Sequence, residues 1–523
     1  MDCEKYKVES RVECDGYTGT LKYYGPVGDS RGLWLGVDWD DPARGKHNGI
    51  YKGIRYFKAW HQTSASFIRP GKATLGISCP EAIKARYGLV KDDLVGVDKD
   101  SLNSLQKEIN APFLELVGLS KVNKKQSKFD ELEVVCIREQ HISHTGKFGE
   151  LKDLCPNIKE LDISKNLINS WSIIESICFQ LHFLSQLNVS ENQLPTGNLS
   201  EFGDKFKSMK CLTMNKMNYN WEDIENCIIM FPSIQELFIS FNIISIILEP
   251  QNKNWCQLRS LALEGNLIKS SNDILKLGLL PCLEYVNLNS NQIEKIYFPN
   301  INPSGKTEFF PALKRLHLCD NKISEWQSVS ELEKITNLQE LKFKGNPVVE
   351  NESMENAREL IIAKISNLKF LNGTEILRDE RRGAEYDYLK LYLSKWQECI
   401  KDVKKKHQFD VEHPRFSILV TKYGISDIPL PKTKVKMMSN VINVEFISLD
   451  DPIKPTVIKR KLLKNIEVQK IIGLTQRLFK TGGKIPTLSF KQKNLSKEVP
   501  LDKPLQELKY FSIQDGDQIM VRW

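Results

Sequence analysis

Apolar residues recur at a fixed spacing through residues 129–350. The spacing is Leu-x-x-Leu-x-Leu-x-x-Asn, with Ile, Val, Phe or Met at some apolar positions. The ninth positions of the copies are Gln140, Asn166, Asn192, Met217, Asn242, Asn266, Asn291, Asn321 and Asn346. They follow one another at steps of 24 to 30 residues. Each copy predicts a short strand with inward apolar side chains and an Asn that bonds to backbone in the turn. One unit cannot bury its apolar face alone, so we expect a curved solenoid of stacked units.

The positions between the leucines face the opposite side of each strand, because side chains alternate across it. We call this surface the concave face. Its candidate binding residues are Glu160, Asp162, Glu236, Phe238, Glu264, Tyr285, Arg315, His317, Lys342 and Lys344. The early strands lean acidic, the late ones basic, and the two aromatic residues lie in the middle. This composition suits a protein-binding groove. A merely solvated face would explain it about equally well.

The segments that flank the repeats are interpreted as connectors and a cap. Residues 76–128 are assigned as a linker that leads into the solenoid. Residues 351–400, which are rich in charged helical sequence, are predicted to cover the last apolar edge. Residues 401–438 end in a Pro- and Lys-rich stretch and are assigned as a second linker. A separate unit is therefore expected on each side of the solenoid.

Residues 439–523 alternate as two strands, continue with a helical spacing, and end in two further strands. A tight turn with the sequence DGD precedes the last strand. This order resembles the ubiquitin-like β-grasp. A conjugated ubiquitin relative ends in Gly-Gly, whereas this sequence ends in Val521, Arg522 and Trp523. We therefore expect a docking module rather than a modifier.

Residues 1–75 contain closely spaced glycines between short apolar alternations. Such spacing predicts a small all-β barrel. A domain of this size has few aliphatic residues for a core, so we expect aromatic residues to form it. The candidates are Trp34, Trp39, Tyr56, Phe57, Trp60 and Phe67. The predicted fold class is thus multidomain: an all-β N-terminal barrel, an α/β solenoid of leucine-rich repeats with a C-terminal cap, and a β-grasp.

Charge and composition exclude several kinds of partner. The formal net charge of +8 divides into +3 in residues 1–75, +6 in residues 439–523 and −1 between them. A nucleic-acid binder is more often basic throughout, so no nucleic acid is expected. No apolar stretch approaches the ~20 residues of a membrane-spanning helix, so no membrane is expected. Twelve cysteines without a CxxC pair, and an N-terminus without an apolar leader, favour reduced thiols in a cytosolic protein.

Catalytic signatures are missing from the sequence. It has no phosphate-binding glycine loop, no HExxH, no GxSxG and no paired metal-ligand spacing. We therefore expect no enzyme activity, no cofactor and no metal. One window does carry chemistry: residues 42–80 contain seven Lys and Arg and no acidic residue. A surface of one sign attracts a polyanion, although a solvated basic face is the simpler interpretation of charge alone.

The strongest functional string is RGKHNG at residues 44–49, with GLWLGVDWDDP before it and IRYF and SFIRP after it. The run resembles a CAP-Gly domain. That family binds acidic C-terminal tails that end in Glu-Glu-Tyr or Glu-Glu-Phe, as on α-tubulin. The resemblance implies a tail-binding site formed by Lys46, His47, Asn48, Gly45, Gly49, Trp34, Phe57, Phe67 and Arg69. The usual motif is GKNDG, so His47 and Asn48 depart from it while Lys46 matches.

The combination of the three modules in this order resembles the tubulin-folding cofactor E family. The resemblance implies a chaperone that binds α-tubulin, by its tail at the CAP-Gly domain and by its body at the repeats. It also implies sister cofactors and β-tubulin as partners, and a location in the cytoplasm and cytoskeleton. The β-grasp would dock another cofactor, the proteasome or another ubiquitin-like receptor. Two alternatives remain: a CAP-Gly linker on microtubules or their plus ends, and a regulatory subunit built on the repeats.

Overall fold

The computed structural model describes residues 6–88, 127–203, 205–299, 302–424, 441–448, 456–479, 484–491, 498–511 and 513–522. The chain divides into two compact units, Met1–Ile428 and Pro429–Trp523. The first unit contains the N-terminal domain and the solenoid, and the second is the C-terminal domain. Within the described ranges, no helix combines the length and the apolar character that crossing a membrane requires.

The N-terminal domain is built on an antiparallel sheet in the order β1-β2-β3-β6. Its strands are β1 (Arg11–Cys14), β2 (Tyr17–Pro26), β3 (Leu33–Trp39), β4 (Ile50–Tyr51), β5 (Ile54–Arg55) and β6 (Ala65–Ile68). One face of the sheet covers a small core. That core consists of Val12, Cys14, Leu21, Leu35, Val37, Trp39 and Ile68. The other face remains available for a site.

The prediction of an aromatic core is wrong for most of the residues named. Trp39 alone among them belongs to the core cluster, whose other members are aliphatic residues and one cysteine. Trp60 is 62% exposed. Phe57 and Tyr56 both contact Phe67 on the opposite face of the sheet. Aliphatic side chains and Trp39 thus form this core, Phe57 is buried on the opposite face, and the other aromatic residues named are half-buried or exposed.

The solenoid is a ladder of short parallel strands, as predicted. The strands of this region are β7 (Ile77–Ser78), β8 (Val134–Cys136), β9 (Ile142–His144), β10 (Glu160–Asp162), β11 (Gln186–Asn188), β12 (Cys211–Thr213), β13 (Glu236–Phe238), β14 (Ser260–Ala262), β15 (Tyr285–Asn287), β16 (Arg315–His317), β17 (Glu340–Lys342), β18 (Phe370–Leu371) and β19 (Thr374–Glu375). Strand β8 and strands β10 to β18 pair in register, and β19 closes the sheet antiparallel to β18. The repeat leucines are buried in one continuous core.

The repeat asparagines hold neighbouring units together. Asn291 Nδ2 donates to the carbonyls of Leu263 and Leu288, at 3.0 and 3.1 Å. Its Oδ1 accepts from the backbone N–H of Ile268 at 3.1 Å. One buried carboxamide therefore satisfies backbone groups in two successive repeats. Side-chain donation to carbonyls of both repeats recurs at Asn166, Asn192, Asn242, Asn266, Asn321 and Asn346.

Helices line the other side of the solenoid and close its ends. They are α1 (Cys79–Tyr87), α2 (Glu150–Leu154), α3 (Trp171–Phe179), α4 (Trp221–Ile228), α5 (Ser271–Leu277), α6 (Trp326–Glu331), α7 (Pro347–Glu350), α8 (Met354–Lys364), α9 (Arg378–Cys399), α10 (Val403–Glu412) and α11 (Phe416–Tyr423). Strand β7 pairs with β9, and α1 packs on α2. The first residues of the region assigned as linker therefore belong to the solenoid, and residues 89–126 of it lie outside the described residues.

The second assigned linker, residues 401–438, is wrong for residues 403–423. These residues form α10 and α11 and pack on α9 and α8, burying Phe409, Phe416 and Leu419. A buried ion pair also stabilises the position of α10 and α11. Glu385 on α9 accepts from Arg415 at 2.7 Å, and Arg415 also donates to the carbonyl of Ala363. Residues 425–438 lie outside the described residues.

The C-terminal domain has the topology of a β-grasp. Its elements are β20 (Val441–Ser448), β21 (Val457–Leu463), α12 (Val468–Phe479), β22 (Thr487–Lys491), β23 (Glu498–Pro500) and β24 (Gln518–Arg522). The sheet order is β21-β20-β24-β22-β23, with β20 parallel to β24. Helix α12 covers one face and shares its core with Phe446, Leu488 and Ile519. The predicted fold class is confirmed for all three modules.

The buried His413 makes the stability of the cap depend on pH. Its Nδ1 lies 2.7 Å from the Tyr388 hydroxyl, and burial, aided by Lys364 and Lys395, lowers its pKa from 6.5 to about 3. A group whose pKa is lower in the folded state binds its proton mainly on unfolding. Its stabilising contribution is therefore complete above pH 6.5 and is lost as the pH falls towards 3.

Because of His413, the wild type is expected to lose about 2 kcal/mol of unfolding free energy between pH 7 and pH 5. We expect His413→Gln to abolish this loss. Urea denaturation followed by circular dichroism at the two pH values measures this difference. The matched control is His407→Gln, an exposed position on α10, the helix that ends directly before His413. Equal pH dependence in wild type and His413→Gln would contradict the assignment.

Candidate functional site

The segment Arg44–Gly49 is held against β6 by its backbone. The N–H groups of Lys46 and His47 both donate to the carbonyl of Ala65, at 2.7 and 3.1 Å. Gly45 has no space for a side chain, because a Cβ there would lie 2.0 Å from the carbonyl oxygen of Thr63. The segment therefore lies closer to β6 than any other residue type at position 45 would allow.

His47 points into the site in a defined state. Its Nδ1 accepts from the N–H of Gly49 at 3.0 Å, so Nε2 carries the proton of the neutral ring. The ring packs on Phe67 with centroids 5.1 Å apart. Burial lowers the pKa of His47, which keeps the ring neutral near pH 7. The neighbouring Asn48 donates from Nδ2 to Gln62 Oε1 at 2.9 Å.

A cluster of rings surrounds Phe67 on the face of the sheet opposite the core. We call it the aromatic groove. The rings that contact Phe67, with centroids 5.1 to 6.2 Å away, are His47, Phe57, Tyr56, Tyr51 and Tyr23. Gly36 opens the space beneath them, since a Cβ at that position would lie 2.4 Å from the Phe57 ring. The three tyrosines were absent from the site predicted from sequence.

Trp34 and Arg69 form a second part of the same face. Trp34 precedes Gly36 by two residues on β3, and Arg69 follows Phe67 by two residues. The guanidinium of Arg69 stacks 3.8 Å above the Trp34 ring and donates to the carbonyl of Arg31 at 2.8 Å. Trp34 Nε1 is buried and has no hydrogen-bond partner in the described part of the chain. The Trp34 ring therefore packs on Arg69, apart from the rings that contact Phe67.

Lys46 is a cation that this site leaves available. Its side chain is exposed, and no described residue forms an ion pair or hydrogen bond with its ammonium. Arg44, two residues earlier, is already engaged: it lies over the rings of Tyr17 and Trp39 and pairs with Asp15 at 3.0 Å. An unpaired ammonium beside an aromatic groove suits a ligand that presents carboxylates and an aromatic side chain.

The concave-face residues lie at the predicted register positions. Exposed members are Glu160, Glu236, Arg315 and Lys344, and half-buried ones are Asp162, Phe238, Glu264, Tyr285 and Lys342. The prediction that His317 is a binding residue of the concave face is wrong. Its side chain is only 8% exposed, because its ring packs on Tyr285 with centroids 4.9 Å apart. Its Nδ1 lies 3.0 Å from the Tyr285 hydroxyl, and Arg315 lies 4.7 Å from the Tyr285 ring centroid. Within the described residues, no group of His, Cys, Asp and Glu is arranged to hold a metal ion.

Comparison with known proteins agrees with this geometry. The CAP-Gly domain model matches residues 8–73, and a leucine-rich repeat model matches residues 265–403. Tubulin-specific chaperone E of Xenopus laevis is 37% identical over 522 residues, covering 98% of both chains. Its counterpart in Homo sapiens is 36% identical over 98% of both chains, and that of Drosophila melanogaster is 31% identical over 99% and 98%.

The chain belongs to the tubulin-specific chaperone E family. Among solved structures, the C-terminal ubiquitin-like domain of mouse tubulin-specific chaperone E is 25% identical, with a TM-score of 0.16. It covers 17% of this chain and 94% of that domain. A leucine-rich-repeat protein of Leptospira interrogans is 18% identical with a TM-score of 0.31, covering 49% and 59%. The tubulin-specific chaperone E relatives align over nearly the whole chain, so all three modules lie within the matched region.

Gly49 sets the shape of the groove. It has φ +90°, and a Cβ there would lie 2.1 Å from the carbonyl oxygen of Phe57. Gly53 offers a matched control, because it has φ +80° but no other atom within 4 Å of the point where a Cβ would lie. We expect Gly53→Ala to cost about 1 kcal/mol, the penalty of the left-handed backbone alone. Gly49→Ala should cost at least ~2 kcal/mol more, because of the clash.

Pulse proteolysis of the full chain in urea, with mass spectrometry of fragments from residues 6–75, measures both variants. Equal stability of the two would show that Phe57 can move away from position 49. The groove would then not depend on a glycine there.

Proposed function

We propose that this chain is a tubulin chaperone that binds the acidic tail of α-tubulin in the aromatic groove and its folded body on the concave face. It acts with sister cofactors in the assembly and dissociation of the αβ-tubulin heterodimer. The observation that carries the proposal is the unpaired Lys46 ammonium beside the aromatic groove. It occurs in a chain whose relatives over nearly its full length are named tubulin-specific chaperone E.

The groove has the chemistry that such a tail requires. Lys46 gives a charge-assisted bond to a carboxylate, and the rings around Phe67 offer edges and faces to a terminal aromatic side chain. His47 keeps one neutral donor at Nε2, since its Nδ1 is occupied by Gly49. The departure from GKNDG at position 47 thus preserves a neutral hydrogen-bond donor in the groove.

The concave face supplies a second contact. Its cations Arg315, Lys342 and Lys344 lie on the last repeats, and its carboxylates Glu160 and Glu236 on earlier ones. The ring of Tyr285 between them is fixed by Arg315 and His317. A rigid aromatic side chain flanked by charges of both signs is typical of protein-binding surfaces.

The two surfaces belong to one compact unit, which favours bivalent binding. The carbonyl of Glu9 accepts from Asn169 Nδ2 at 2.7 Å, and β7 pairs with β9. A ligand held at one surface therefore meets the other at a high effective concentration. Separation of the heterodimer also needs a higher affinity for free α-tubulin than for the dimer, because a ligand shifts an equilibrium only by its differential affinity.

The remaining parts of the proposal concern partners and place. We propose no catalytic step and no cofactor for this chain. Its β-grasp docks a sister cofactor, the proteasome or another ubiquitin-like receptor, and the chain works in the cytoplasm and at the cytoskeleton. The family membership supports a chaperone role, and the β-grasp topology supports a docking module.

Size-exclusion chromatography with native αβ-tubulin, below the polymerisation threshold, tests the whole proposal. We expect α-tubulin to elute in complex with this chain and β-tubulin to be released. An intact dimer, together with pelleting of this chain on microtubules, would favour a microtubule linker instead. Unchanged recovery of partners after deletion of residues 1–75 would favour a regulatory subunit built on the repeats.

We expect Lys46→Ala to weaken binding of a peptide ending in Glu-Glu-Tyr by about tenfold, the effect of one charge-assisted bond. Fluorescence anisotropy with the full chain measures it. Lys7→Ala is the matched control, because Lys7 is an exposed cation of the same domain that precedes β1 and contacts none of the groove rings in the described structure. Equal affinities for wild type and Lys46→Ala would remove the groove from the proposal.

We expect Arg315→Glu with Lys344→Glu to weaken binding of tubulin by at least about tenfold while leaving peptide binding unchanged. The control is Lys152→Glu with Lys207→Glu, which makes the same change in charge at exposed positions outside the concave face. Surface plasmon resonance with immobilised tubulin measures both, after circular dichroism has verified folding. A similar loss in the control pair would mean that the overall charge, and not this face, governs binding.

A further inference from the structure

Strand β21 is an open edge of the C-terminal sheet. It is the first strand in the order β21-β20-β24-β22-β23 and pairs with β20 on one side. In the part of the domain that the structure describes, no strand pairs with its other side. An edge of this kind presents backbone donors and acceptors that another chain can use.

The register shows which backbone groups face outward. The N–H of Ser448 on β20 donates to the carbonyl of Thr456 at 3.0 Å, directly before β21 begins. In an antiparallel pair, bonded and non-bonded residues alternate. Val457, Lys459 and Lys461 therefore direct their N–H and carbonyl groups away from β20. These three residues define the outer edge of β21.

The edge is basic and exposed. Lys459, Arg460 and Lys461 stand in succession at its centre, all exposed, and β21 contains no acidic residue. Lys464 follows directly. Among the described residues, two carboxylates face these four cations: Glu445 lies 2.9 Å from Lys459, and Asp515 is near Lys461 and Lys464. The edge keeps an excess of positive charge after both are counted.

The charge selects the kind of chain that can pair. A second copy of β21 would bring like charges directly opposite one another, which disfavours self-association. An acidic chain would instead place carboxylates opposite Lys459 and Lys461. Val457 and Leu463 are 49% and 50% exposed at the two ends of the strand. They offer apolar contacts that flank the cations.

We propose that β21 is a docking edge that takes an extended acidic polypeptide as a sixth strand of the C-terminal sheet. Backbone hydrogen bonds along Val457, Lys459 and Lys461 supply affinity, and the lysine side chains supply the preference for acidic residues. The site is independent of the aromatic groove, which lies in the other unit. It gives the C-terminal domain a binding function of its own.

The test uses a ten-residue peptide of alternating Glu and Thr, acetylated and amidated so that it offers neither a terminal carboxylate nor a terminal aromatic ring. Binding to the full chain carrying Lys46→Ala, which removes one free cation beside the groove, is followed by fluorescence anisotropy. Two variants are made in that background. Lys459→Glu with Lys461→Glu reverses the charge of the edge, and Val457→Pro removes one outward N–H without changing the charge.

The matched control is Lys470→Glu with Arg477→Glu, the same change in charge on α12 of the same domain. We expect a loss of at least tenfold for the edge pair, at least threefold for Val457→Pro, and less than twofold for the control. Equal losses of affinity in the two double variants would show that net charge, and not the edge of β21, governs binding of the peptide. An unchanged Val457→Pro would overturn strand addition, and absence of binding to the Lys46→Ala chain would overturn the site.

Discussion

The buried asparagine of each repeat is the interaction on which the solenoid depends. A turn after every strand leaves backbone groups inside the molecule that no strand ladder reaches. Burying such groups unpaired costs roughly 1–3 kcal/mol each, and Asn291 alone bonds to Leu263, Leu288 and Ile268. Because the bonds join two repeats, each unit is stable only beside its neighbour. This ladder determines the positions of the concave face, of the N-terminal domain docked at β9 and of the helical cap.

Different interactions close the two ends of the solenoid. At the first edge, β7 pairs with β9 in a separate two-stranded sheet and α1 covers the apolar core, so the N-terminal domain is attached through backbone and packing. At the last edge, α10 and α11 bury few apolar side chains and are held by buried charge as well. Glu385 accepts from Arg415, Lys422 and Tyr423, and although burial raises its pKa, these hydrogen bonds lower it below the usual range.

The repeats and the β-grasp could be predicted because the spacing of their apolar residues along the chain is regular. The helices of residues 403–423 could not, since α10 buries only Phe409 among ten residues and its lysines suggested a connector. Tyr23 of the aromatic groove was missed for a geometric reason. Strand β2 shifts register between Leu21 and Tyr23, so Leu21 faces the core while Tyr23 faces the groove. Simple alternation would have placed both on one face.

The departure of the groove motif from GKNDG is explained by how His47 is held. A histidine brings a second possible cation to the site, yet burial lowers its pKa and keeps it neutral. The N–H of Gly49 occupies Nδ1, so the ring retains a single donor at Nε2. An asparagine at the same position would also offer a neutral donor. The substitution therefore changes shape and ring stacking on Phe67 while leaving Lys46 as the charge that a carboxylate meets.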